Sequence, residues 1–138
     1  FYVSIFKNSK IITVARYPEG SPYEPGAVMT VTFELDGQKF TGINGGPHFK
    51  FDEAISFVID CDGQAEVDYY WERLLAGGGK ESQCGWLKDK FGLSWQVVPK
   101  QLIELTTSSD KERNGRVFGA MMKMVKIDVA ELERAAKG

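Results

Sequence analysis

Hydrophobic and polar positions along the chain fall into two alternating periods. Phe1, Tyr2, Ile5 and Phe6 recur at helical spacing, with no capping residue before them. A helix already under way at the first residue is therefore expected, with anything earlier lying outside the sequence. The opening also lacks the charged start and long apolar centre of a secretory signal. Residues 10–17 then read as a β-branched strand. Pro18, Gly20, Pro22, Pro25 and Gly26 mark a loop that neither a helix nor a central strand accepts. Residues 28–35 and 38–43 are strands joined by Asp36-Gly37, a two-residue hairpin signal whose turn needs positive φ. Asn44-Gly45-Gly46-Pro47 closes this part.

The second half repeats the scheme. Residues 54–60 place Ile55, Phe57 and Ile59 on one face of a half-buried strand. Asp62 is placed to cap a helix with the stripe Val67, Tyr70, Trp71, Leu74 and Leu75, and Gly77-Gly78-Gly79 ends it. A short strand over 79–83 follows, then a hairpin of Trp86-Leu87 and residues 93–98 around Asp89-Lys90-Phe91-Gly92. The tail reads as helices over 110–124, with Val117, Met121 and Met124 on one stripe, and after Asp128, which has Glu131 three residues on. The fold class is α+β. With one strand restored before Phe1, both halves become strand–helix–three strands, a tandem βαβββ arrangement. The organisation expected is a single domain over 1–138, with modules at 1–46 and 54–99 and a helical extension at 108–138.

Composition narrows the classes. With 138 residues, 17 basic against 19 acidic side chains and a net charge of -2, the chain lacks the excess of positive charge a sequence-blind nucleic-acid binder needs. No apolar run approaches the ~20 residues that span a bilayer. Cys61 and Cys84 have no CxxC spacing and fit a reducing, cytoplasmic setting, with a disulfide left open.

Two stretches are distinctive: Asn44-Gly45-Gly46-Pro47-His48-Phe49-Lys50-Phe51-Asp52-Glu53-Ala54-Ile55-Ser56-Phe57 and Asp89-Lys90-Phe91-Gly92-Leu93-Ser94-Trp95-Gln96-Val97-Val98-Pro99. With Tyr70-Trp71 and the tail 121–128, they resemble the PhnB-like branch of the vicinal-oxygen-chelate superfamily. That branch, often labelled 3-demethylubiquinone-9 3-methyltransferase, stands alongside glyoxalase I, extradiol dioxygenases and bleomycin-resistance proteins. The resemblance implies paired βαβββ modules with cupped sheets around a cavity, and a homodimer.

Metal-using relatives place His, Glu or Gln on the first and last strands of each module, where the ion binds vicinal oxygens. The resemblance puts Ala54 where such relatives often open the second module with a ligand histidine, and places Gln96 at or beside their glutamate. A typical metal site is thus not expected, with His48 and Gln96 as the weak candidates and a divalent metal as the alternative cofactor reading. His48, Asp52 and Glu53 otherwise read as exposed loop residues. Phe49, Phe51, Phe57, Trp86 and Trp95, with Asn44, Ser56 and Gln96 as polar groups, form the candidate pocket set, pointing to a small, largely apolar ligand. Tyr70 and Trp71 read as helix packing, and the methionines as core or subunit contact. A Rossmann-type S-adenosylmethionine site needs a Gly-rich strand-to-helix turn. Gly77-Gly78-Gly79 follows a helix, and Gly45-Gly46 leads to Pro47 and a strand. The leading expectation is a small-molecule-binding protein, with neither nucleic acid nor membrane as partner. A metal-dependent lyase, isomerase or dioxygenase is the enzyme alternative, and a methyltransferase or a sequestering module are the others.

Overall fold

The computed structural model describes all 138 residues and divides them into two compact units, Phe1–Lys50 and Phe51–Gly138. The first holds an antiparallel sheet in the order β1 (Lys10–Arg16), β2 (Val28–Leu35), β3 (Gln38–Ile43). Leu35 pairs with Gln38 across the two-residue turn, and Asp36 and Gly37 sit at φ 46° and 85°. That is the geometry the Asp-Gly signal calls for, because its twist matches the strands it joins. Tyr2 stacks on Phe33, which stacks on Phe40.

The opening helix is a correction. It is a single 3₁₀ turn, Tyr2–Ser4, with Asn8 at φ 50° beyond it. So short a segment gains too few hydrogen bonds to offset helix nucleation. Its apolar residues serve packing instead, and Ile5 is buried.

The second unit runs β4 (Ser56–Cys61), α1 (Gln64–Leu75), β5 (Lys80–Glu81), β6 (Trp86–Lys88), β7 (Ser94–Pro99), the βαβββ order, followed by α2 (Lys100–Thr106), α3 (Lys111–Met121) and α4 (Val129–Lys137). Its sheet is mixed, in the order β4-β7-β6-β5, with β4 parallel to β7 and the other pairs antiparallel. β4 begins two residues later than the alternation implied. The Ala54 N–H donates to Asp52 Oδ1 at 2.9 Å, holding 52–54 in a turn.

Asp62 does not cap α1. The cap residue is Gly63, at φ 83°, while the Asp62 carboxylate pairs with Lys100 and its N–H donates to Glu66. The α1 stripe Val67, Tyr70, Trp71 and Leu74 is buried. Gly77 at φ 83° and Gly78 at φ 121° then turn the chain. Gly79 is required for another reason: a Cβ there would lie 2.7 Å from Leu75 Cα and 2.8 Å from the Lys88 carbonyl.

Helix α2 was not expected. Asp110 and Asp128 cap α3 and α4, accepting from the N–H groups of Arg113 and Glu131. The expected helix over 110–124 stops at Met121, and a turn carries the chain through Met124. Leu102, Val117, Ile127 and Leu132 form the core of this helical part, with Val98 of β7 packed against it. Gln64 fastens α4 to α1: its side chain accepts from Val129 N–H at 2.8 Å and donates to the Ile127 carbonyl at 3.2 Å. No helix is long and apolar enough to cross a membrane.

Candidate functional site

The sheet of the second unit sorts its residues by parity. Phe57 pairs with Trp95 and Leu87 with Trp95, while Glu81 pairs with Leu87. This row faces α1, because Trp71 Nε1 donates to Glu81 Oε1 at 2.9 Å. Strand neighbours alternate in direction, so the even-numbered residues face the other way. Two rows result there. One is Lys80, Lys88, Ser94 and Ser56, and the next is Trp86, Gln96 and Val58.

These rows carry the polar chemistry of the unit. Gln96 Nε2 lies 2.9 Å from Ser56 Oγ, bridging β7 and β4. Lys88 is ion-paired with Glu53, whose carboxyl is held below its usual range chiefly by that hydrogen bond. A cavity of about 230 Å³ opens here, lined by Glu53, Lys80, Ser82, Trp86, Lys88 and Ser94 together with Glu81 and Leu87 of the α1-facing row. Ser94 is 2% exposed, yet its hydroxyl has no hydrogen-bond partner. A buried hydroxyl without a partner costs about 1–3 kcal/mol, so it stands out in a native structure.

The turn joining β6 to β7 is held by Asp89. This buried carboxylate accepts from the N–H groups of Phe91 (2.9 Å) and Leu93 (3.2 Å) and from Trp95 Nε1 (2.9 Å). The Asp-x-x-Gly motif fixes where Ser94 and Gln96 sit, and Trp95 is held by Asp89 on the α1 side.

The candidate pocket residues are thus distributed over several places. Ser56, Trp86 and Gln96 share the face turned away from α1. Phe57 and Trp95 lie on the α1 face with ring centroids 5.5 Å apart. Phe49 (95% exposed) and Phe51 (59%) stand in the irregular segment before β4. Asn44 belongs to the first unit, where Nδ2 donates to the Val28 carbonyl and its own carbonyl accepts from Tyr17 Oη. Glu53, read from sequence as a solvated charge, is largely exposed and is also ion-paired with Lys88. Lys80, Lys88 and Ser94 were missed. The signal available was the register of the β6–β7 hairpin, which sets Lys88 opposite Ser94.

A divalent cation fits poorly. No three His, Cys, Asp or Glu side chains converge. His48 is exposed in the first unit, and Gln96, whose Nε2 donates to Ser56, offers only a single neutral amide oxygen. Cys61 is buried and free, its thiol pushed up to about 12, first by desolvation and then by Glu66, Asp60 and Asp62. It is the neutral form that is held there, whereas metal ligation needs the thiolate.

Comparison with known proteins places the chain. Residues 1–98 match the family described as 3-demethylubiquinone-9 3-methyltransferase. A solved PhnB protein from Bacillus cereus, described under the same methyltransferase name, is 34% identical, with TM-score 0.63 over 71% of this chain and 84% of that one. A Pseudomonas aeruginosa protein of 17% identity (TM-score 0.51, 67% of this chain, 79% of that one) shares the fold. No curated protein matches. An α+β chain with one three-stranded antiparallel sheet, one four-stranded mixed sheet and C-terminal helices, it belongs to the PhnB-like 3-demethylubiquinone-9 3-methyltransferase family.

Proposed function

We propose that this chain is a small-molecule-binding protein whose ligand lies on the β4-β7-β6-β5 face turned away from α1. The observation that carries this reading is the cavity over that face, with the Ser94 hydroxyl buried and unpartnered at its wall. Binding sites combine an apolar surface with a few placed polar groups. Here Trp86 and Ser94 line the cavity, and Val58, Gln96 and Ser56 continue the same face beyond it. The expected ligand is therefore a small molecule with an apolar body, held without a typical metal site.

Two other readings are weaker. The glyoxalase-type lyase, isomerase or dioxygenase needs an ion, for which the donor set above is poorly suited. The methyl transfer in the family's name would need a glycine-rich strand-to-helix turn if its cofactor bound in the Rossmann manner. The turn from β4 into α1, Asp62-Gly63, offers one glycine. The homodimer and the cytoplasmic setting are parts of the same proposal, and sedimentation of the purified chain tests the first.

The test is a fragment screen by amide and indole NMR shifts. Aromatic fragments should move Trp86 Nε1–H and the amides of Ser94 and Gln96 together. Trp86→Ala should weaken that binding about ten-fold or more, since stacked aromatic contact area dominates small-ligand sites. Fragments that collect elsewhere, or that ignore the loss of Trp86, would overturn the reading.

A further inference from the structure

The row Lys80–Lys88–Ser94 breaks a rule of sheet design. Lys80 and Lys88 are direct cross-strand partners on the short β5–β6 ladder. Like charges directly opposite one another are destabilising. Glu53 neutralises Lys88 alone, and no ion-pair partner stands against Lys80. Beside them lies a buried hydroxyl with nothing to bond. Of the two carboxylates in the same lining, Glu53 is on Lys88 and Glu81 accepts from the Trp71 indole, so Lys80 and the spare hydroxyl are left for an incoming anion, and local conflicts of this kind concentrate at functional sites.

The present neighbour of Lys88 indicates which anion. It is a carboxylate, and it comes from a segment without regular secondary structure, on a side chain 69% exposed. Glu53 reaches Lys88 without bonding Ser94. A free carboxylate entering the cavity would replace Glu53 on Lys88 and also gain the Ser94 hydroxyl and the charge of Lys80. Next to these groups, Trp86 provides an aromatic surface in the same cavity. The volume, about 230 Å³, lies below the ~300–1,000 Å³ of drug-sized sites, so the guest is small.

We infer that Lys80, Lys88 and Ser94 form a carboxylate subsite for a small aromatic acid, with Glu53 occupying Lys88 until the acid displaces it. This rests on the sheet-face reading above and adds the charge of the ligand and a competitor built into the chain.

The test uses the full chain, with benzoate, its neutral isostere benzamide, and inorganic phosphate as probes, followed by the Trp86 indole and Ser94 amide NMR shifts. Benzoate should bind at least ten-fold more tightly than benzamide. Lys88→Met should weaken benzoate about ten-fold, as loss of a charge-assisted contact does. Ser94→Ala should weaken it several-fold. Glu53→Gln should tighten it several-fold, which a merely structural Glu53–Lys88 pair would not do. Raising salt should weaken benzoate and leave benzamide unchanged. Equal binding of benzoate and benzamide at Trp86 would overturn the carboxylate subsite while leaving the sheet-face site standing. Phosphate competing as well as benzoate would overturn the assignment to an aromatic acid. An unchanged or weaker benzoate affinity in Glu53→Gln would overturn the competitor role. Perturbation of neither Trp86 nor Ser94 by any probe would overturn the subsite and count against the face itself.

Discussion

Asp89→Ala removes the acceptor on which the β6–β7 turn is built. In the native chain the carboxylate bonds three donors: the amides of Phe91 and Leu93, and the indole of Trp95. The Phe91 amide is only partly buried, so water can replace the lost acceptor there. The Leu93 amide and the Trp95 indole are buried and would be left without partners. At about 1–3 kcal/mol for each of these two donors, the cost is roughly 2–6 kcal/mol. Against a domain stability of about 5–15 kcal/mol, that is a large fraction. Asp89→Asn keeps one oxygen for the backbone amides and turns an NH₂ toward the Trp95 indole. It loses one bond in place of three and should cost about half as much. Urea unfolding followed by tryptophan fluorescence reads this directly, because Trp71, Trp86 and Trp95 all lie in the Phe51–Gly138 unit. A loss below about 1 kcal/mol for Asp89→Ala would refute the reasoning, as would an Asn variant no better than Ala.

Other substitutions test separate links. Gly79→Ala should cost at least about 3 kcal/mol, since its Cβ would meet backbone atoms that no rotamer change can move, whereas Gly115→Ala, in open space on α3, should stabilise by about 0.5–1 kcal/mol; thermal melts of the two variants compare them. Thiol titration of the native chain should label the half-buried Cys84 and spare Cys61 until urea unfolds it. With the Cys61 thiol raised from 9.0 to about 12, its contribution is fully present below pH 9 and is lost as pH climbs from there through about 12, so the alkaline fall in stability should be shallower in Cys61→Ala. Gln64→Ala should cost about 1–2 kcal/mol and speed hydrogen exchange at the Val129 amide, whose acceptor it removes.

Much of the fold was legible because local chemistry and tertiary structure agree. Asp36-Gly37 dictates its turn, Asp110 and Asp128 start helices, and the glycines after α1 end it. Failures occurred where a distant partner outbid a local preference. Asp62 is a good capping residue, yet Lys100 at the start of α2 engages its carboxylate. Phe1, Tyr2, Ile5 and Phe6 have helical spacing, but the segment makes one 3₁₀ turn in which the Tyr2 ring stacks on Phe33 of β2 and meets Phe1 edge-on. Helix α2 follows β7 without a break, its cap being Pro99, so no loop signal announced it.

The candidate site shows the same division more sharply. Once the pairs Ser56–Ser94, Lys88–Ser94 and Trp86–Gln96 are known, parity separates every residue of the sheet into two faces. Sequence supplies the parity but leaves open which face meets α1, and the aromatics alone do not decide it. Phe57 and Trp95 lie beside the helix, while Trp86 lies opposite among lysines, serines and an amide. An apolar pocket built from all five aromatics would have had to draw from both sides of one sheet and from the segment before it. The face that carries Trp86 is instead amphipathic. That is why the expectation of a greasy ligand narrows, on this structure, to an aromatic body with a charged end, and why Glu53 and Ser94, inconspicuous in the sequence, become the residues whose substitution is most informative.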